Sequence, residues 1–171
     1  MVEPAYDLPQ GVTENTISFS FGLPDPTTLL SPELSSATQH ILNDSHASSA
    51  ALQYGAEQGT QGLINILVEK IRREQNIPVQ TENVMVIAGS THGVDMLARL
   101  YGSGVVLVEA PSYRDAIHVF QDHRIELRSV PMDDDGLIPD ELAKLLANLY
   151  ANGKFVSILY KIPNFHIGTS Y

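Results

Sequence analysis

Two stretches of this chain combine residue types that can hold a flat, charged ligand. In the first, Asn83-Val-Met-Val-Ile-Ala-Gly89-Ser90-Thr91-His92, an apolar run enters a Gly-Ser-Thr turn and passes straight into a helical pattern. Free backbone N–H groups and the positive end of the helix dipole meet at such a turn, which suits a phosphate. Ordinary helix caps use the same residues, so the turn alone leaves both readings open. In the second, Val105 to Glu109 ends in Ala110-Pro-Ser-Tyr113, presenting a phenol ring able to cover another flat ring. A phosphate cradle beside an aromatic lid suits a phosphorylated aromatic cofactor. His92 stands one place into the helix, either as a donor to the same ligand or as a plain solvent-facing residue.

The elements that must position these residues follow from periodicity. Ser31 as N-cap with Pro32 at the first helical position predicts a helix to about Asn43, and Asp44-Ser-His-Ala-Ser-Ser49 reads as a loop. From Thr60, Leu63, Ile64, Leu67, Val68 and Ile71 recur at helical spacing, with Glu69, Lys70, Arg72 and Arg73 on the other side. Short apolar strands are expected at 84–88, 105–109, 125–130 and 155–160. They alternate with helical stretches near 91–101, 113–122 and 139–151. Alternation of this kind predicts an α/β fold. In an open α/β sheet ligands gather outside the carboxyl ends of the strands, and Gly89-Ser-Thr91, Pro111-Ser-Tyr113 and Pro163-Asn-Phe-His166 all fall just after such ends.

Composition narrows the classes of partner. The 171 residues are 43% hydrophobic, enough for one domain with a substantial core, and there is no cysteine to form a disulfide or a thiolate zinc site. A net charge of −10 argues against nucleic acid or an anionic membrane as a general partner, since both need clustered Lys and Arg. No apolar run approaches the roughly 20 residues that span a bilayer, and Met1-Val-Glu-Pro-Ala-Tyr-Asp lacks a signal-peptide pattern. A cytoplasmic protein is expected. Residues 1–16, rich in Pro, Gly, Thr, Asn and acids, read as an irregular arm, with one domain over 17–171. The histidines show no metal-ligand spacing, so no metal is expected. Asp133-Asp-Asp-Gly136 lacks the alternating ligands and distal Glu of a calcium loop and reads as an acidic turn before a helix at Pro139.

Six segments occur in one order: Phe19-Ser-Phe-Gly22-Leu-Pro-Asp-Pro26, Ala51-Leu-Gln-Tyr54-Gly55 with Gly59, Ala88-Gly-Ser-Thr91, Glu109-Ala-Pro-Ser-Tyr113, Val130-Pro-Met-Asp-Asp-Asp-Gly136 and Pro163-Asn-Phe-His166. In that order they resemble the class I/II pyridoxal-phosphate-dependent aminotransferases, and most the branch of aminoadipate, kynurenine and aromatic aminotransferases. The resemblance runs from about Ile17 to the end. It implies part of a fold-type-I large domain: an incomplete, mixed but mostly parallel sheet flanked by helices, preceded by an arm and a helix. It implies pyridoxal 5'-phosphate as cofactor, with Ser90 and Thr91 on the phosphate, Tyr113 stacked on the pyridine ring and Tyr54 reaching the phosphate across a homodimer interface. It further implies that Gly22 offers its backbone to the carboxylate of an amino acid or 2-oxo acid. Half-buried packing is the plain alternative for Tyr54 and Tyr113.

The family's Schiff-base lysine, and the acid on its pyridine nitrogen, lie beyond the segments matched here. This chain's lysines are Lys70, Lys144, Lys154 and Lys161, and none falls on that position; Lys161, after the last strand, is the least remote. No catalytic residue is therefore assigned. Related chains continue Pro-Asn-Phe-(Gln or His)-Asn-Pro-Thr-Gly, with the second Asn on the cofactor's ring hydroxyl, whereas Pro163-Asn-Phe-His166 here runs into Ile167-Gly168-Thr-Ser-Tyr171. Asn164 is not equivalent to the second Asn. The expectation is an aminotransferase-like chain inactive alone, exposing apolar surface and poorly soluble. The alternative is a non-catalytic remnant or dimerising interaction protein. A nucleotide-binding domain is weaker because no G-x-G-x-x-G turn follows a strand.

Overall fold

The computed structural model describes residues 26–163, which fall in two compact units divided between Gly55 and Ala56. The 1–16 arm, Gly22 and Asn164 lie outside the described residues.

The first unit holds a 3-10 turn at Pro26–Thr28, helix α1 (Ser31–Asn43) and helix α2 (Ser45–Ala51). The cap of α1 is Leu30 rather than Ser31, which with Pro32 sits in the first turn, where a missing N–H costs no helical bond. The expected loop at 44–49 is instead mostly α2. Asp44 starts it, its Oδ1 accepting the N–H groups of His46 at 3.0 Å and Ala47 at 2.7 Å. Neither helix contains a buried residue, and Leu30, Leu34, Ile41 and Leu42 are all exposed.

The second unit begins with α3 (Gln61–Gln75), which buries Ile64 and Val68 from the predicted apolar stripe and ends at Asn76 in the left-handed conformation. It continues through a 3-10 turn at Thr81–Asn83, α4 (Ser90–Tyr101), β1 (Val105–Ala110), α5 (Arg114–Asp122), β2 (Leu127–Asp133), β3 (Gly136–Leu137), α6 (Pro139–Ala151) and β4 (Val156–Tyr160). The sheet order is β3-β2-β1-β4. Strand β1 runs parallel to both β2 and β4, and β3 pairs antiparallel with β2.

The expected strand count holds but its membership changes. Residues 84–88 form no strand with the described residues, and Gln58 meets part of their backbone. Val86 N–H donates to the Gln58 carbonyl at 2.9 Å, and the Gln58 side-chain amide donates to the carbonyls of Thr81 and Val84 at 2.8 and 2.6 Å. The fourth strand is β3, formed because the acidic turn closes a hairpin. Asp133 Oδ1 accepts the Asp135 N–H at 2.9 Å, and Gly136, at φ 108°, supplies a conformation other residues rarely adopt. Helix α6 follows at Pro139, as the sequence predicts.

Two apolar clusters lie on the faces of this sheet. Val106 and Val108 join Ala98, Phe120 and Ile125 on the α4/α5 face, while Val105 and Leu107 join Val130 and Leu149 on the α6 face. Helices packed on both faces bury residues 105–109 of β1, and the strand reads as a nearly continuous apolar run in the sequence.

Candidate functional site: a helix N-terminus beside two tyrosines

Helix α4 starts abruptly. Its N-cap, Gly89, holds φ 91° and ψ 167°, a region open in practice only to glycine. The first bond onto the helix is Gly93 N–H to Gly89 O at 3.3 Å. The N–H groups of Ser90, Thr91 and His92 precede it and have no intrahelical acceptor. Ser90 and Thr91 are exposed, so these donors, their hydroxyls and the positive helix end face outward together. His92 acts as a cap: its Nδ1 accepts the Ala88 N–H at 3.2 Å, so the neutral ring carries its proton on Nε2.

Tyr113 lies at the N-cap of α5, directly after the turn that leaves β1. Its ring is partly exposed, and its hydroxyl donates to Asp115 Oδ2 at 2.8 Å. That bond and the carboxylate's charge raise the phenol above its ordinary pKa. Ser90, Thr91, Val94, Tyr113, Ala116 and Tyr160 line one crevice of about 10 Å³. A space of that size takes one water. A larger ligand meets the crevice at its mouth, where Ser90, Thr91 and Tyr113 are exposed. Within the adjoining turn, Ser112 Oγ is buried and has no hydrogen-bond partner among the described residues.

Three of the predicted site residues, Ser90, Thr91 and Tyr113, thus come together. Tyr54 belongs to the first unit, after α2, and is 96% exposed, so it fills no core position within its own unit. Gly22 is outside the described residues. Tyr160, missed at the sequence level, forms the far wall. It is the last residue of β4, its ring meets Phe120 edge-on at 6.0 Å, and burial together with the charge of Glu109 raises its phenol pKa. The signal for it was available, since the final residues of parallel strands face the ligand side as much as the turns that follow.

Each of the four lysines is paired with a carboxylate: Lys70 with Glu74 at 3.9 Å, Lys144 with Glu141 at 2.7 Å, Lys154 with Glu126 at 2.7 Å and Lys161 with Glu109 at 3.8 Å. A wider crevice of about 360 Å³ opens at the opposite ends of the strands, lined among others by Gly102, Arg124, Glu126 and Lys154. It adjoins the C-terminal ends of α4, α5 and α6, whose outward carbonyls disfavour an anion. Among the described residues no cluster of three or more His, Cys, Asp or Glu is placed to hold a metal ion, and no helix is long and apolar enough to cross a membrane.

Comparison with known proteins accounts for this arrangement. The family model described as aminotransferase class I and II matches residues 16–160. An aromatic-amino-acid aminotransferase of Thermococcus litoralis is 34% identical over 155 residues, which is 90% of this chain and 37% of that protein. A 2-aminoadipate transaminase of Thermus thermophilus is 30% identical, over 87% of this chain and 35% of that protein. The crystal structure of a multiple substrate aminotransferase from Thermococcus profundus superposes with a TM-score of 0.78 at 32% identity, covering 86% of this chain and 37% of the other. The chain therefore spans little more than a third of the length of these relatives. Solved relatives were crystallised with the pyridoxamine form of the cofactor or with a phosphopyridoxyl amino acid. Orphan N–H groups and hydroxyls at a helix N-terminus beside a tyrosine fit the phosphate and ring of that group. This chain belongs to the class I and II aminotransferases, the family whose cofactor is pyridoxal 5'-phosphate.

Proposed function

We propose that this chain supplies the phosphate-side cradle of a pyridoxal-phosphate-dependent aminotransferase, which moves an amino group between an amino acid and a 2-oxo acid in the cytoplasm. The observation that carries the reading is the crevice itself: the N–H groups starting α4, which have no intrahelical acceptor, and the phenols of Tyr113 and Tyr160 meet at the carboxyl ends of β1 and β4. When bound, the cofactor acts as an electron sink for bonds at the substrate's α-carbon. Ser90 and Thr91 would hold its phosphate by backbone N–H and hydroxyl. Tyr113, anchored by Asp115, would cover its ring and keep water from that face. In a homodimer Tyr54 would reach the partner's phosphate, and Gly22 would leave room for the substrate carboxylate. On this reading residues 1–16 are an arm and 17–171 are the amino-terminal part of the large domain.

A second reading has its own support. With no residue of α1 or α2 buried and every lysine engaged by a carboxylate, a dimerising, non-catalytic protein accounts for the same features. Titrating the 171-residue chain with pyridoxal 5'-phosphate decides between them. The chain contains no tryptophan, so quenching of tyrosine emission reports binding directly. Saturable, noncovalent binding that inorganic phosphate displaces, weakened about tenfold in Tyr113→Ala, supports the cradle. Absence of binding with a stable dimer in solution supports the second reading. Borohydride is expected to fix the cofactor to none of the four lysines.

A further inference from the structure

Glu109 is the one charged residue buried among those described, at 2% exposure. It closes a row on β1 whose earlier members, Val105 and Leu107, pack into the α6-side cluster. A carboxyl group in an apolar row is costly to bury unless strong partners meet it. Its partners are on the exit of the neighbouring strand. Oε2 accepts the Ile162 N–H at 2.8 Å, and Oε1 lies 3.8 Å from Lys161 Nζ.

The position of this bond matters. The β1/β4 ladder ends at the pair Val108 and Tyr160. Beyond that pair a continuing parallel ladder would place the next β4 donor on a β1 carbonyl. Here the Glu109 side chain takes the donor two residues past the strand end. Tyr160 is therefore fixed from both sides: by the ladder up to its own position, and by the Glu109 bond two residues after it. Its ring stands on the opposite face, edge-on to Phe120 and lining the crevice with Ser90, Thr91 and Tyr113.

We infer that Glu109 is a positioning residue: its buried carboxyl group ends the β1/β4 ladder by taking the Ile162 N–H, and so sets residues 160–163 against the crevice formed by Ser90, Thr91 and Tyr113. Its contribution to a cofactor site rests on the cradle reading above; its hold on the β4 exit does not. The charge at Glu109 also supports the neutral form of the Tyr160 phenol, which faces Tyr113 as its other titrating neighbour.

Amide hydrogen exchange on the 171-residue chain, with Glu109→Ala and Glu109→Gln beside the parent, tests this. In Glu109→Ala the Ile162 amide loses at least about tenfold in protection while Leu107, within β1, keeps its own. Glu109→Gln keeps an acceptor but not the charge. It therefore loses less protection at Ile162 and lowers the pH at which Tyr160 ionises, read as the ultraviolet phenolate signal that Tyr160→Phe removes. Unchanged exchange at Ile162 in both variants, or an unmoved Tyr160 titration in Glu109→Gln, overturns the inference. If Glu109→Ala unfolds, shown by lost protection at Leu107, the glutamine variant decides alone. A parent chain that fails to bind pyridoxal 5'-phosphate counts against the cradle and leaves the exchange result to judge Glu109. If the parent binds, tighter or equal binding by Glu109→Gln overturns the role at the site.

Discussion

Val84-Met-Val-Ile-Ala88 and Val105-Val-Leu-Val-Glu109 are nearly interchangeable as sequence, yet they end in opposite states. The second is the central strand, every residue from 105 to 109 at most 6% exposed. The first pairs with no strand among the described residues and is met in part by Gln58, with Met85 48% exposed and Val86 and Ile87 also open. Apolar, β-branched composition supplies the readiness to form a strand. A neighbouring ladder decides whether it becomes one. Each run also feeds one side of the same crevice, through Gly89 in one case and Pro111 in the other, so one wall of the site stands on a fully packed support and the other on a lightly held one.

Leu107→Ala is expected to lower stability by about 3 kcal/mol in urea unfolding, whereas Met85→Ala is expected to cost under about 1 kcal/mol. Equal costs would mean that 84–88 is packed as a strand in solution, and the contrast would collapse. Next in size is Gly89→Ala. Open space surrounds the position a Cβ would take, so the cost comes from the backbone alone, about 2 kcal/mol for leaving a glycine-only conformation, with phosphate affinity falling alongside. Full retention of both would show that the start of α4 can be redrawn without its special turn.

The smallest effect concerns how α4 is tied to its neighbour. Asp95 on α4 accepts from His123, after α5, at 2.7 Å and from Arg99 at 3.1 Å. The His123 hydrogen bond, aided by both charges, holds the Asp95 carboxyl below its ordinary pKa. A lowered pKa means the folded state binds this proton less readily than the unfolded one. The stabilisation is therefore complete above the unfolded carboxylate pKa of about 4 and is lost as pH falls through the lower folded value. Asp95→Asn should be less stable than the parent at neutral pH, and the two should converge in acid. A gap that persists below pH 3 would point to packing instead of ionisation.

How far the sequence revealed this molecule follows the same contrast. Periodicity identified α3, α6 and β1, because each meets a face that matches its own pattern. It promoted 84–88 to a strand, since nothing local reports a missing neighbour. It passed over α2, where Asp44 signalled a cap but the polar Ser-His-Ala-Ser-Ser run hid a helix that buries nothing. That Ser90, Thr91 and Tyr113 would lie together was legible, because turns that open helices carry recognisable residue types. Tyr160 was legible only as the carboxyl end of a strand, and Glu109 not at all. Their roles arise from residues 108, 120 and 162, brought to them only by the fold.

The position of β1 in the middle of its sheet also bears on the order in which the protein is made. Residue 106 pairs with residue 127 on one side and residue 158 on the other, so the central strand leaves the ribosome first and β2 and β4 follow in turn. Each newly synthesised strand finds its edge already exposed and waiting. The sheet can grow outward during translation without prying apart a pair already formed.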